Sequence, residues 1–209
     1  MTDSTIIRIL TVDDHPLLRE GIATMIESQT DMTIVSQAST ATEGIQHYRT
    51  YRPDITLMDL RLPDLSGIDA IIAIRAEFPE ARIIMLTMFE GDVEIRRALD
   101  AGARGYLLKN MPPSELIQVI RQVHAGKLRV PPEVATQLAE NIGSESLTVR
   151  ELDVLRQVSG GNRNRDIGEH LGISEETVKV HLKHIMDKLG AKDRTQAIAI
   201  AVRRGVIQL

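Results

Sequence analysis

Reactive side chains follow four short apolar segments of the chain. One of them, Asp59, ends the run 55–58, which is bounded by Pro53 and by the turn-forming residues 61–64. An apolar run of that length predicts a buried strand. Polar residues follow the other runs in the same way, and the full set is Asp13 and Asp14, Asp59, Thr87, and Lys109. Because the carboxyl ends of parallel strands share one edge of a sheet, we expect these side chains to lie close together.

These residue types suit phosphoryl transfer. Crowded carboxylates repel one another and therefore need a cation, and Mg²⁺ combines a preference for oxygen ligands with coordination of phosphate. Asp59 could then attack phosphorus and form an aspartyl-phosphate. The Lys109 ammonium and the Thr87 hydroxyl would contact phosphoryl oxygens. Taken alone, Asp59 could equally be a helix cap or a turn residue, so the prediction depends on all four segments delivering such groups to one edge.

The segments between these strands show helical spacing. The predicted strands cover residues 6–12, 33–38, 55–59, 83–86 and 105–108. The predicted helices begin at Pro16, after Thr40, at Gly67, at Val93 and at Ser114. Pro16 suits a first helical turn, and Thr40 with Glu43 forms a capping-box pattern. Five βα units within about 125 residues predict an α/β fold, a doubly wound five-stranded parallel sheet with helices on both faces.

Composition excludes several classes of protein. The chain has 209 residues, 43% of them apolar, which leaves room for two small domains. It contains no cysteine, so disulfides and cysteine-rich zinc sites are excluded. It has no apolar run of about 20 residues and no signal-peptide pattern, so we expect a cytoplasmic protein without a membrane partner. Residues 145–209 carry 11 basic and 9 acidic side chains against 14 and 20 in the rest, which weakly favours an anionic partner there.

The βα pattern stops after residue 126. Residues 127–146 contain two adjacent prolines and a Gly-Ser joint and are predicted to be a linker, with spacing for a short helix over 133–141. From 147 to 209 the pattern is helical, and the turn at Gly172 precedes a helix that Ser174 caps. We therefore expect domains at 1–126 and 147–209, the second with a helix-turn-helix.

The helix 175–189 has two distinct faces. Its apolar stripe consists of Val178, Leu182, Ile185 and Leu189, at the spacing of a buried face. Lys179, Val180 and Lys183 lie off that stripe and suit the major groove, where lysine can bind guanine or phosphate and an apolar group can meet a thymine methyl. The alternative is an ordinary solvated lysine face. Arg163 and Arg165, before this helix, are the expected phosphate partners.

The residues at the strand ends resemble those of a known family. Residues 6–126 resemble a response-regulator receiver domain of a two-component system. The matching motifs are Asp13-Asp14, Leu57-Met58-Asp59-Leu60, Met85-Leu86-Thr87 and Gly105-Tyr106-Leu107-Leu108-Lys109. Two positions depart from the usual pattern of the family. Asn110 replaces a proline after the lysine, and Met88 replaces a small residue after the threonine.

This resemblance implies a phosphorylation switch. A partner histidine kinase would phosphorylate Asp59. The implied Mg²⁺ ligands are Asp14, Asp59 and the backbone carbonyl of Arg61, with Asp13 assisting through water. On phosphorylation, Thr87 would move toward the phosphoryl group and Tyr106 would turn inward, which is a population shift between two states.

The C-terminal part resembles a LuxR-type helix-turn-helix domain. The matching motifs are Leu147-Thr148-Val149-Arg150-Glu151, Ile173-Ser174-Glu175-Glu176-Thr177-Val178-Lys179-Val180-His181 and Lys188-Leu189-Gly190. Gly168 replaces a more usual alanine, and Asp187 stands where a basic residue is common. With the receiver-like part, the whole chain resembles the NarL/FixJ class of response regulators. That resemblance implies a DNA-binding transcription regulator and not an enzyme.

The same resemblance implies a homodimer on double-stranded DNA, formed through the last helix, 194–203. The expected contact face is small and apolar, and its members are Ala197, Ile198, Ala201 and Val202.

Two rival functions remain at this point. A haloacid-dehalogenase-type phosphatase would also use an Asp nucleophile, but it would carry a second Asp two residues later, where this chain has Arg61. The other rival is an interaction module whose helical part binds a protein instead of DNA.

Overall fold

The computed structural model describes residues 6–88, 91–130 and 147–207. The chain divides into two compact units. Of the described residues, the first unit holds 6–88 and 95–130, and the second holds 91–94 and 147–207. The short helix expected over 133–141 lies outside the described residues.

Strands and helices alternate along the first part of the chain. Its elements are β1 Ile7–Val12, α1 Pro16–Glu27, β2 Met32–Ala38, α2 Ala41–Tyr51, β3 Ile55–Asp59, α3 Gly67–Glu77, β4 Ile83–Thr87, α4 Asp92–Asp100, β5 Gly105–Leu108 and α5 Pro113–His124. The strands form a parallel five-stranded sheet in the order β2-β1-β3-β4-β5. The α/β fold predicted from the sequence is confirmed, and the predicted bounds of the elements are correct to within one or two residues.

The central strands explain why the sequence shows continuous apolar runs. Every residue of β3 and β4 is buried, as expected for parallel strands that are covered on both faces. On one face, Ile55 and Leu57 of β3 belong to a core cluster with Ile26 of α1 and Ile120 of α5. Burial of apolar side chains of this size stabilises the fold by about 1.5–3 kcal/mol for each residue.

The register of the sheet brings the strand ends together. Val12 of β1 pairs with Met58 of β3, so that Asp13 and Asp59 leave the sheet side by side. At the next strand pair, Thr87 of β4 lies opposite Leu108 of β5. Lys109 therefore follows at the same carboxyl edge, and its backbone N–H donates to the Thr87 carbonyl at 2.8 Å.

The segment after α5 is extended, as predicted for the start of the linker. Arg129 donates its N–H to the Arg104 carbonyl at 3.0 Å and accepts from the Tyr106 N–H at 2.9 Å. These bonds place Arg129 beside Gly105 as a parallel bridge. The free edge of β5 is thereby partly covered, which protects backbone groups that would otherwise be open to pairing.

The start of α2 shows half of the predicted capping box. Thr40 accepts a hydrogen bond from the Glu43 N–H at 3.1 Å, as expected. The Glu43 carboxylate accepts from the N–H and hydroxyl of Ser39, the residue before Thr40, both at 2.9 Å. Asp64, in the loop after β3, accepts further hydrogen bonds from the first turn of α2.

The second unit is helical, as predicted. Its helices are α6 Val149–Ser159, α7 Asn164–Leu171, α8 Glu175–Leu189 and α9 Arg194–Arg203. Thr148 and Glu151 form a complete capping box at the start of α6. Gly172 ends α7 at φ 66°, a left-handed conformation that glycine adopts without strain, and Ser174 caps α8. No helix in the described part of the chain is long and apolar enough to cross a membrane.

The dimer through α9 stays a prediction, but two residues of its expected contact face are buried. Ala201 is buried in the core of the second unit, and Ile198 and Val202 pack against that core. Ala197 is buried as well, at 1% exposure. A small apolar face at helical spacing has the same composition whether it packs inside its own unit or against a second copy, so the sequence did not distinguish the two.

Gly67, at the start of α3, lies directly against the backbone of the β3 end. Its N–H donates to the Leu60 carbonyl at 2.9 Å, and a Cβ at this position would overlap the Asp59 carbonyl oxygen. Gly21 in α1 is the opposite case, because a Cβ there would meet nothing within 4 Å. The close packing of α3 on Asp59 therefore requires glycine at position 67.

We expect Gly67→Ala to destabilise the protein by about 2 kcal/mol or more, because the start of α3 must move away from β3. The matched variant Gly21→Ala should stabilise it by up to about 1 kcal/mol, because alanine is the better helix former. Urea unfolding followed by circular dichroism measures both. A Gly67→Ala protein as stable as the wild type would contradict this packing.

Candidate functional site

Two carboxylates and one ammonium group meet at the carboxyl edge of the sheet. Lys109 Nζ lies 2.7 Å from Asp13 Oδ2 and 2.8 Å from Asp59 Oδ2. All three side chains are at most 4% exposed. Buried charges are tolerated only when they are paired, and here one positive charge faces two negative ones. The site therefore keeps an excess of negative charge.

Asp59 is affected most by this arrangement. Burial raises the pKa of its carboxyl group above the ordinary value, and the negative charge of Asp13 adds to the effect. The hydrogen bond and the charge of Lys109 act in the opposite direction without cancelling it. A further cation beside Asp59 would favour its ionised, nucleophilic form.

Asp14 and His15 extend the cluster outward. His15 Nδ1 lies 2.6 Å from Asp14 Oδ1 and 3.2 Å from Asp13 Oδ1, and the His15 N–H donates to the same Asp13 oxygen at 2.8 Å. The Asp14 side chain is 37% exposed and His15 is 68% exposed, so both face solvent. Sequence reasoning missed His15. Its position directly before the helix-starting Pro16 was the available signal.

The donor atoms fit a hard divalent cation. Ligand atoms of Asp13, Asp14, His15 and Asp59 all lie within 4.8 Å of one another. Carboxylate oxygens are the ligands that Mg²⁺ prefers. Arg61, whose backbone carbonyl is a further expected ligand, follows in the loop after β3, and its N–H donates to Asp59 Oδ1 at 3.3 Å.

The remaining expected switch residues lie at or near the same edge. Thr87 ends β4 and is 1% exposed, and Tyr106 within β5 is fully buried. Met88, directly after Thr87, is 68% exposed. No cis peptide bond occurs among the described residues, so the bond between Lys109 and Asn110 is trans.

In the second unit, α8 presents two faces as its pattern indicates. Val178, Leu182 and Ile185 are buried in the core of the unit. On the other side, Val180 is 48% exposed and the Lys179 side chain is 50% exposed. Lys183 is also exposed.

Lys179 is already paired within its own helix. Its ammonium lies 3.1 Å from Glu176 Oε2 and 3.6 Å from Glu175 Oε1, and these interactions raise the pKa of Lys179. A pair this exposed contributes little to stability. Lys179 can therefore exchange these carboxylates for another anion at small cost.

An ion pair that sequence reasoning missed fixes α8 to α6. Lys188 Nζ lies 2.9 Å from Glu151 Oε2, with side chains 17% and 5% exposed. Burial disfavours the charged form of Glu151, but the Lys188 ammonium and the hydrogen bonds from Thr148 outweigh it and hold the Glu151 pKa below its ordinary value. The capping box identified Glu151, whereas nothing in the sequence identified its partner.

The two arginines before α8 lie on the surface. Arg165 is 80% exposed and its Nε lies 3.2 Å from Glu169 Oε1. Arg163 is exposed, and its backbone N–H donates to Asp166 Oδ2 at 3.3 Å.

Gly168 lies within α7, close to the turn that leads to α8. A Cβ on Gly168 would lie 2.7 Å from the Ile173 carbonyl oxygen, which explains why glycine suits this position.

Two family models match this chain and identify its family. A family model described as the response regulator receiver domain matches residues 9–121, and one described as bacterial regulatory proteins, luxR family, matches residues 145–201. The chain belongs to the response regulators. It is a two-component response regulator with a LuxR-type DNA-binding domain.

Relatives of this response regulator match along nearly its whole length. The uncharacterized transcriptional regulatory protein YxjL of Bacillus subtilis is 39% identical over 97% of this chain and 98% of its own. A nitrate/nitrite response regulator protein homolog of Haemophilus influenzae is 37% identical over 93% and 95%. The structure of RcsB from Salmonella enterica serovar Typhimurium, bound to a promoter in the presence of the phosphomimetic BeF3-, has a TM-score of 0.74 at 26% identity and covers 93% of this chain and 97% of that one.

Proposed function

We propose that a histidine kinase phosphorylates this response regulator on Asp59 with Mg²⁺ as cofactor, and that phosphorylation favours a homodimer on double-stranded DNA. The observation that carries the proposal is the pairing of Lys109 with Asp13 and Asp59 in a buried, net negative site. The DNA-bound RcsB structure, obtained with a phosphomimetic, supports the coupling of the two steps.

Each residue of the site has a part in the proposed transfer. A carboxylate oxygen of Asp59 attacks the phosphorus atom, and the bond to the donor nitrogen breaks. The Lys109 ammonium moves from the Asp59 carboxylate to a phosphoryl oxygen, and it stabilises the negative charge on that oxygen. The Thr87 hydroxyl donates a hydrogen bond to another phosphoryl oxygen. Asp14, Asp59 and the Arg61 carbonyl would hold Mg²⁺, with Asp13 assisting through water, and the bound ion would supply positive charge that offsets the crowded oxygens.

We propose that the protein acts as a switch and not as an enzyme. Arg61 occupies the place where a phosphatase of the haloacid-dehalogenase type carries its acid/base Asp, so no such group serves the turnover of external phosphoesters. We place its action in the cytoplasm, where histidine kinase domains and DNA are both accessible. Since a phosphoryl group shifts an equilibrium only through differential affinity, it must stabilise one of two arrangements of the receiver domain.

For DNA we propose α8 as the reading helix. Lys179, Val180 and Lys183 would enter the major groove, with Arg163 and Arg165 at phosphates. Lys179 would leave Glu175 and Glu176 in the process. A helix-turn-helix dimer reads two half-sites one helical turn apart or at multiples of that spacing, so we expect a two-fold or tandem site.

Phosphoryl acceptance should require Asp59 and Mg²⁺. We expect incubation with phosphoramidate and Mg²⁺ to add one phosphoryl group to the wild type and none to Asp59→Asn, and Asp14→Ala to accept very little. The matched control is Asp54→Asn, which changes a carboxylate at the other end of β3 where it accepts from the Arg8 N–H. Intact-protein mass spectrometry reads the result. Single-site labelling that persists in Asp59→Asn would refute the assignment.

Lys179→Ala and Lys183→Ala should each weaken specific DNA binding. A lost base contact costs about 1–3 kcal/mol and relaxes preference at one base pair, whereas a lost phosphate contact weakens all sequences and lowers the salt slope by about one. We expect Lys179→Ala to be the more base-selective and Val180→Ala to act mainly at a thymine. Arg163→Ala and Arg165→Ala should behave as lost phosphate contacts.

Affinity for the best site and for scrambled DNA, measured at several salt concentrations, separates these effects. Lys127→Ala removes the same charge from the first unit, outside the helix-turn-helix, and should leave both affinities unchanged. If both variants in α8 keep wild-type affinity for the best site, this helix is not the reader, and the interaction-module function gains support.

A further inference from the structure

The loop between β3 and α3 is hydrogen-bonded to the start of α2, a helix that precedes it in the sequence. Asp64, in this loop, accepts a hydrogen bond from the Ala41 N–H through Oδ1 at 2.9 Å. Through Oδ2 it accepts from the N–H of Thr42 at 2.9 Å and from the Thr42 hydroxyl at 2.6 Å. One carboxylate therefore joins the loop that follows Asp59 to the first turn of α2, more than 20 residues earlier in the chain.

Asp64 completes the set of partners for the start of α2. The first four N–H groups of a helix have no partner within the helix. Of the first three residues of α2, Ala41 and Thr42 donate their N–H groups to Asp64, and Glu43 donates its N–H to the Thr40 hydroxyl. Although burial acts in the opposite direction, these hydrogen bonds hold the Asp64 pKa well below its usual range.

The same loop lies against the phosphoryl-transfer site. Arg61 donates its N–H to Asp59 Oδ1 and forms an antiparallel bridge with Ser66. Gly67 closes the loop by donating to the Leu60 carbonyl at 2.9 Å. The base of the loop is thus held by backbone bonds, and Asp64 holds the part between Arg61 and Ser66.

We propose that Asp64 is a positioning residue for the divalent cation, in that it holds the loop so that the Arg61 backbone carbonyl faces the carboxylates of Asp14 and Asp59. This inference rests on the proposed Mg²⁺ site. Asp64 is not itself a ligand of that site, because both of its oxygens are taken up by α2. A backbone carbonyl has no side-chain torsion that can adjust it to a metal, so its placement depends on how the loop is tethered.

A helix cap alone would not explain this arrangement. Asp64 and Thr42 are exposed, so water could satisfy the Thr42 N–H if Asp64 were absent. Thr40 already caps the helix from its own side. The consequence of losing Asp64 should therefore fall on the loop more than on α2.

The test compares variants of Asp64 and Thr40, which both cap α2. Isothermal titration calorimetry of the full-length chain with Mg²⁺ alone measures the affinity of each. Asp64→Ala releases the loop, whereas the matched variant Thr40→Ala removes a cap bond of the same helix without touching the loop. Both should lower the Tm by a few degrees. We expect Asp64→Ala to weaken Mg²⁺ binding about tenfold, as for groups that orient metal ligands, and Thr40→Ala to leave it unchanged. Thr42→Val, which removes one of the three bonds to Asp64, should give a smaller loss in the same direction.

The outcomes separate this inference from the function on which it rests. Equal Mg²⁺ affinity in Asp64→Ala and wild type, or an equal loss in Asp64→Ala and Thr40→Ala, would overturn the positioning role alone. A wild type that binds no Mg²⁺, or an Asp14→Ala variant that binds it as well as the wild type does, would overturn the proposed metal site and this inference with it. If Asp64→Ala does not fold, Thr42→Val against Thr40→Ala decides by the same criterion.

Discussion

A single buried ammonium group balances two buried carboxylates at the carboxyl edge of the sheet. Removing one partner of such a pair leaves an uncompensated buried charge, at a cost of about 3–5 kcal/mol. With Lys109 shared between Asp13 and Asp59, and Asp14 close by, negative charge remains in excess. Burial raises the pKa of Asp59, with a smaller contribution from the charge of Asp13, and the excess negative charge creates the demand for a cation, which distinguishes this cluster from a structural ion pair.

The rest of the receiver domain serves to place these groups. The register of β1 with β3 sets Asp13 beside Asp59, and the pairing of β4 with β5 brings Lys109 to the same edge. In the second unit, the pair of Glu151 and Lys188 joins two helices in a similar way. Both units thus pair a lysine with a buried carboxylate at the element that we propose to act.

How much the sequence predicts depends on whether a signal is local. Buried parallel strands appear as apolar runs, so the sheet, Asp59 and Lys109 follow from the pattern. Asp64 was missed because its partners lie more than 20 residues away, in the first turn of α2, and such a contact leaves no periodicity. Ala201 was assigned to a dimer face but lies in the core of its own unit, because interior and dimer surfaces share one composition.

In the proposed switch, the charge state of the Asp59 site controls DNA binding by α8. The most direct measurement is the affinity of the full-length protein for its best DNA site, with Mg²⁺, in the presence and absence of beryllofluoride, a mimic of the aspartyl-phosphate. We expect a gain of about tenfold or more for the wild type, and none for Asp59→Asn. An equal affinity in both conditions for the wild type, or an equal gain in Asp59→Asn, would contradict it.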